Sequence, residues 1–290
     1  MKDYLLYSTA ANGNIRCLAA ITTNLTNTAQ TKHSLFPVAS AALGRLLTGS
    51  LLMASSEFKG EERLNLRVKG DGPLGQVFAD AKIGEVRGYV ANPQVELPLS
   101  KNKKLDVKKG VGAGELSVIK DLKLKEPYVS TMQLISGEIA EDLTYYYATS
   151  EQKPSSFGLG VLVDTDGSIL VSGGFLVQIM PDATDEQVTA VEERIAKLGG
   201  VVEFIKEKET PEKMIEDLLD GLSPKILHKQ PLEYKCSCDR QRFAKGLISL
   251  GKEELNNMLK ESKEFELSCH FCNSRYNFKP QDIEGLLREL

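Results

Sequence analysis

The chain has 290 residues, 36 basic against 40 acidic, a formal net charge of −4 and five cysteines. That near balance leaves no global electrostatic footprint for nucleic acid or an anionic membrane. The length exceeds what one small core organises, so more than one domain is expected. Apolar runs such as Leu51-Leu52-Met53-Ala54 and Phe175-Leu176-Val177 fall far short of the ~20 residues of a membrane span. The start, Met1-Lys2-Asp3-Tyr4-Leu5-Leu6-Tyr7, has an early acid and a short apolar stretch, unlike a secretory signal. A cytoplasmic location follows as the expectation. Thiols stay reduced there, so clustered cysteines read as metal-binding or redox-active.

Residues 1–180 read as a mixed β and α domain. Pro37 suits the first turn of a helix, and Leu43, Leu46, Leu47, Leu51 and Leu52 continue it at helical spacing. The small residues Ala39, Ala41, Ala42, Gly44, Gly49 and Ala54 suggest that this helix is packed on several sides. Leu64, Leu66 and Val68 then alternate with Asn65 and Arg67, as in a half-buried strand. Gly70-Asp71-Gly72-Pro73 breaks the pattern, and residues 76–79 and 85–90 resume it, which predicts a β-meander. Further strands are expected at 116–119, 129–135, 159–163 and 169–171, the last two joined by the turn Asp164-Thr165-Asp166-Gly167-Ser168.

After Pro181 the character changes. Between Asp182 and Asp220 stand 12 acidic and 5 basic residues, a net of −7. Thr184 and Gln187 make a capping box, with Val188, Val191, Ile195 and Leu198 along one face before Gly199-Gly200. A second short helix is expected from Thr210-Pro211 to Gly221, with Met214, Ile215, Leu218 and Leu219 facing inward. Such short, charged helices hold only when their apolar stripes dock on something else. Residues 181–232 therefore read as a helical, acidic linker whose folding is conditional.

Residues 233–290 form a small module, with helices expected near Lys252–Lys260 and from 280 to 290, where Ile283, Leu286, Leu287 and Leu290 share a side. A unit this small needs a staple. Cys236-Ser237-Cys238, thirty residues, then Cys269-His270-Phe271-Cys272 supplies one. Four thiolates make a closed tetrahedral shell suited to one structural Zn2+, and the long gap admits a helix. His270 is expected at the surface, since four sulfurs suffice. A closed shell argues against hydrolytic zinc, which keeps an open position. Oxidation of the thiols removes the ligands, so the shell can also serve as a reversible folding switch.

Other motifs fail on context. Gly70-Asp71-Gly72-Pro73-Leu74-Gly75 fits G-x-G-x-x-G, but Pro73 lacks an amide and strand follows instead of the helix that a dinucleotide needs. Ser150-Glu151-Gln152-Lys153 fits S-x-x-K without its companion motifs. No Walker A sequence is present. Lys101-Asn102-Lys103-Lys104 with Lys108-Lys109 reads as a solvated loop, and His33 and His228 have no suggestive neighbours. Cys17 reads as a small buried hydrophobe.

With these residues in place, the chain resembles, almost end to end, the redox-regulated holdase chaperones called heat-shock protein 33. The C-x-C and C-x-x-C pairs at Cys236, Cys238, Cys269 and Cys272 carry the likeness, with Phe271, Tyr276 and Phe278. In the N-terminal part it is carried by Leu43-Gly44-Arg45, the segment from Lys69 to Gly75, Val86-Arg87-Gly88-Tyr89-Val90, Ser150-Glu151-Gln152 and Gly173-Gly174-Phe175-Leu176-Val177-Gln178. Asp239 and Gln241 around Arg240 depart from a more basic family run and leave the cysteines untouched.

The resemblance implies an α+β protein with a mixed β-sheet domain and a long packed helix, a helical linker and a zinc module. It implies a zinc-bound, inactive reduced state. Oxidation then forms Cys236–Cys238 and Cys269–Cys272 disulfides, expels zinc and unfolds module and linker. The implied partners are unfolding client proteins, held without ATP, often by a homodimer, and ATP-dependent chaperones downstream. No enzymatic activity, nucleic acid or membrane partner is expected. The alternative is a zinc-ribbon nucleic-acid binder or translation-associated factor. It wants a basic face, and residues 233–290 hold 10 basic and 10 acidic residues.

Overall fold

Alternating burial sets the strands and continuous burial sets the central helix of this computed structural model, which describes residues 2–198, 200–261 and 263–290. Two compact units result, Met1–Lys235 and Cys236–Leu290. The first opens with the hairpin Tyr4–Ala10 (β1) and Ile15–Ile21 (β2), followed by Thr23–His33 (α1) and Pro37–Glu57 (α2). The meander Arg63–Gly70 (β3), Gln76–Lys82 (β4) and Glu85–Val90 (β5) comes next, then Val107–Val111 (α3), Gly114–Asp121 (β6), Tyr128–Gln133 (β7) and Ala140–Thr149 (α4). Ser155–Val163 (β8) and Ile169–Ile179 (β9) pair as the expected hairpin. Three helices follow, Asp185–Ala196 (α5), Val201–Lys208 (α6) and Pro211–Leu218 (α7), and then Lys225–Pro231 (β10) and Glu233–Tyr234 (β11).

Among the described residues the strands of this unit form two sheets. One has five strands in the order β10-β1-β2-β9-β8, the other six in the order β11-β5-β4-β3-β6-β7. Helix α2 lies in the core between them, packing on β3, β4 and β5 of one sheet and β2, β8 and β9 of the other. Pro37 stands at its first position, and its leucines and small residues are buried on all sides. By length and composition α2 could cross a membrane, with a mean hydropathy of 1.3, yet 94% of that window is buried inside the protein. The sequence shows no such run because Ser, Thr and Gly interrupt it. Burial between two sheets is what its apolar character serves.

The five-stranded sheet has a second apolar face. Tyr4, Leu6, Ile15, Cys17, Ala19, Phe175 and Val177 line it, and Val191 of α5, Phe204 and Ile205 of α6, and Met214, Ile215 and Leu218 of α7 cover it. The acidic segment therefore finds its dock on this sheet. The Thr184 capping box forms, the Gln187 amide donating to Thr184 Oγ1 at 3.4 Å and the Thr184 amide to Gln187 Oε1 at 3.1 Å. Thr210 Oγ1 likewise accepts from the Lys213 amide at 3.4 Å. Gly199, expected at the end of the first helix, lies outside the described residues. Two features of 181–232 are new to the sequence reading. Helix α6 starts from Gly200 without a side-chain cap to mark it, and β10 is an edge strand whose partner, β1, lies at the far end of the sequence.

In the second unit, Arg240–Ile248 (α8) and Lys252–Lys260 (α9) lead to the hairpin Phe265–Ser268 (β12) and Arg275–Phe278 (β13), closed by Pro280–Arg288 (α10). Leu247, Leu255, Phe278, Ile283 and Leu286 make its buried core. Leu290 does not join them. The helix ends at Arg288 and leaves Leu290 46% exposed.

Candidate metal centre

The turn between β12 and β13 delivers one pair of thiols. The Cys269 amide donates to Ser274 O at 2.9 Å, and the Asn273 amide returns to Cys269 O at 2.7 Å. Asn273 takes φ 55°, a left-handed conformation that asparagine tolerates well. Both cysteines of this tight turn are buried. The other pair precedes α8, whose first turn is capped by Asp239 Oδ1 accepting from the Arg242 amide at 2.7 Å. Ser237 is exposed while Cys236 and Cys238 on either side are half-buried, so alternate residues face the cluster. One intervening residue is the spacing at which an extended chain places two side chains on one side.

All four sulfurs lie within 4.8 Å of one another. Cys236 Sγ is 3.7 Å from Cys269 Sγ, and Cys238 Sγ is 3.2 Å from Cys272 Sγ. In a tetrahedral shell with metal–sulfur bonds of ~2.3 Å the sulfurs stand ~3.8 Å apart. The first separation matches that spacing and the second approaches it. Four thiols with no carboxylate among them are a soft, closed donor set, able to hold a metal ion.

Neighbouring groups tune the thiols unequally. Burial pushes Cys238 up to about 12, even with the Tyr276 hydroxyl 3.2 Å from its sulfur. That hydroxyl also donates to Cys238 O at 3.1 Å, which ties β13 to the first pair. At Cys272 burial pulls upward too, but hydrogen bonds from Ser274 and from Cys238 and Cys236 outweigh it and bring the thiol to about 7. Cys272 is therefore more readily ionised than Cys238 and Cys269, and the thiolate is the form that binds metal and attacks oxidants.

His270 is exposed and stands outside the sulfur group. Cys17 is fully buried beneath the linker helices and belongs to the first unit, whereas the other four cysteines belong to the second. The segment 70–75 is a turn. The Gly72 amide donates to Val111 O at 2.9 Å, and a Cβ on Gly70 would stand 1.9 Å from that same oxygen, so its glycines serve close backbone packing. Ser150 caps the end of α4, while Glu151 and Lys153 join an ion-pair cluster. Lys101, Asn102, Lys103 and Lys104 are exposed. His33, without a partner in sequence, meets the Tyr234 hydroxyl at 3.2 Å. That same hydroxyl donates to Gly88 O at 2.9 Å and pins β11 beside β5. Tyr234 and Tyr276 thus hold the chain on both sides of the cysteines, and no spacing in the sequence marks either role.

A family profile described as Hsp33 protein matches residues 3–279. A 33 kDa chaperonin of Ruminiclostridium cellulolyticum is 48% identical, with 100% of this chain and 99% of its own covered. One of Bacillus subtilis is 43% identical, with 98% of each chain covered. A crystal structure of the 33 kDa chaperonin of Thermotoga maritima, a heat shock protein 33 homolog, superposes with a TM-score of 0.93 at 37% identity, covering 100% of this chain and 99% of that one. Likeness of this extent in sequence and in fold leaves one conclusion: the chain belongs to the Hsp33 family of chaperones.

Proposed function

We propose that this chaperone is a redox-regulated holdase that works without ATP, is off when reduced, and holds one Zn2+ on Cys236, Cys238, Cys269 and Cys272. When bound, zinc supplies the cross-link that a five-residue core lacks, at an apparent ~10–16 kcal/mol in small peptides. Each peroxide takes two electrons from a pair of thiolates and two protons from solvent, forms one S–S bond and leaves as two water molecules. The family likeness assigns the pairs as Cys236–Cys238 and Cys269–Cys272, and all four sulfurs stand near enough for exchange. Without thiolates the second unit has no staple and unfolds. Its first residue, Cys236, follows β11 by two positions, so the loss of order reaches β11, β10 and the helices before them.

One observation carries this reading. The sheet face lined by Leu6, Ile15, Phe175 and Val177 is apolar, and short amphipathic helices of a strongly acidic segment cover it. Their departure bares a broad apolar surface, which is what binds unfolding chains. The partners are then unfolding clients, later passed to ATP-driven chaperones; the compartment is the reducing cytoplasm, and the active form is a homodimer.

Zinc release, thiol count, disulfide mapping and light scattering of a heat-unfolding client, read on one sample, test this. Peroxide-treated protein is expected to suppress scattering and reduced protein not to. Disulfides and zinc release with unchanged scattering sink the assignment.

A further inference from the structure

We propose that β10 is a built-in stand-in for client chain: residues Lys225–Pro231 occupy the β1 edge on which an extended client segment is bound, as an added antiparallel strand, once the linker opens. The idea rests on the holdase reading above and adds the mode of client recognition. In the five-stranded sheet β10 is the outermost strand beside β1, so its departure turns β1 into an edge. An edge strand offers a row of unpaired N–H and C=O groups, a template for any extended chain.

The present occupant is poorly suited to stay. Its register against β1 slips between Tyr7 and Ser8, where Leu227 has no partner. Ile226 is 51% and Leu227 65% exposed, so β10 buries little side chain and is held mainly by backbone pairing. β1, in contrast, is buried along most of its length. Main-chain pairing reads no sequence, which is what a binder of many unfolding proteins requires.

One side-chain anchor links this strand to α7, part of the lid that α5–α7 form over the sheet face. Lys229 Nζ lies 3.6 Å from the centre of the Tyr4 ring and 3.7 Å from Glu212 of α7, whose carboxylate also accepts the Tyr4 hydroxyl at 2.5 Å. When α7 leaves, Lys229 loses its carboxylate partner, and edge and sheet face are released together. Leu6 pairs with Lys229 and Ser8 with Ile226 in register. A client strand in the same place sets every second side chain beside the apolar face that α7 vacates.

Amide exchange across Tyr4–Ala10 tests this, with reduced, carboxymethylated α-lactalbumin as an unfolded probe. The β1 amides that face β10 are expected to exchange at least ~10-fold faster after peroxide activation and to regain protection when the probe binds. Lys229→Glu, at an exposed position, is expected to speed the same amides before any oxidant is added. Labelling of Cys17 reports the lid in parallel, and scattering reports holding. If Cys17 opens and the client is held while β1 stays protected, or opens and never regains protection, strand addition is overturned and the holdase reading stands. Unchanged β1 exchange in Lys229→Glu also counts against it. No holding at all removes both.

Discussion

Cys17 sits on β2 with no exposed surface, under α5–α7, and burial pushes its thiol up to about 12. A lone cysteine reads from sequence as a small hydrophobe, and its packing agrees. Its position makes it a gauge of the lid. In the proposed active state the other four cysteines are in disulfides, so Cys17 is the one remaining thiol. Maleimide labelling is expected to rise at least ~10-fold on activation, as a single adduct by mass, because only an opened lid exposes it. Continued protection would mean that the helices do not leave.

Lys120 is the other residue whose environment dictates an outcome. Its Nζ lies 2.6 Å from Glu57 and 2.5 Å from Glu151, and the hydroxyls of Tyr147 and Tyr146 donate to the same two carboxylates at 2.6 Å. Burial alone lowers the Lys120 pKa, but the two carboxylates outweigh it and raise it above its ordinary 10.5. Its contribution is therefore complete below pH 10.5 and lost as pH rises through the folded value. For Glu151 burial pulls upward, and Lys120 and Tyr146 outweigh it, so the carboxyl lies below its ordinary 4.5. That contribution is complete above pH 4.5 and lost as pH falls through the folded value. Lys120→Met is expected to cost about 1–3 kcal/mol in urea unfolding at neutral pH, since two half-buried carboxylates lose their buried cation and keep only the exposed Lys153. The difference should narrow in acid as the Glu151 carboxyl protonates.

At the scale of elements, α5 and α7 were legible because their caps and apolar stripes are local signals. Helix α6 was not: it is as short as α7 but starts from Gly200 with no side-chain cap, so no local signal marks its start. Such helices gain their stability from docking. Met214 and Ile215 on α7 are both buried against the sheet. Met214→Ala is expected to weaken that docking by about 2–5 kcal/mol. Reduced variant protein should then label at Cys17 and partly hold a client without oxidant. A variant as sealed and as inactive as the parent would show that α7 is not the lid.

At the scale of the whole molecule, the two units depend on different things. The first has an extensive core on both sides of the five-stranded sheet, and the second has five buried apolar residues and the thiols. Chelation of the reduced, zinc-loaded protein is expected to melt α8–α10 before any heating, so that calorimetry then shows one transition of lower enthalpy, that of the first unit. A single unchanged transition after complete zinc removal would show that the second unit folds without its staple.

The spacing within each cysteine pair, the Thr184 capping box, the strand alternation and the start of α2 were determined by the sequence alone, because each is written within a few turns or a few residues of chain. Only the tertiary structure decided that the acidic helices dock on a sheet face centred near Cys17, that Lys225–Pro231 pairs with β1, and that Tyr234 is pinned to Gly88. These contacts join residues far apart in the chain. Their existence depends on which apolar surface is left open once the two sheets have closed on α2, a property of the packed molecule that no local pattern carries.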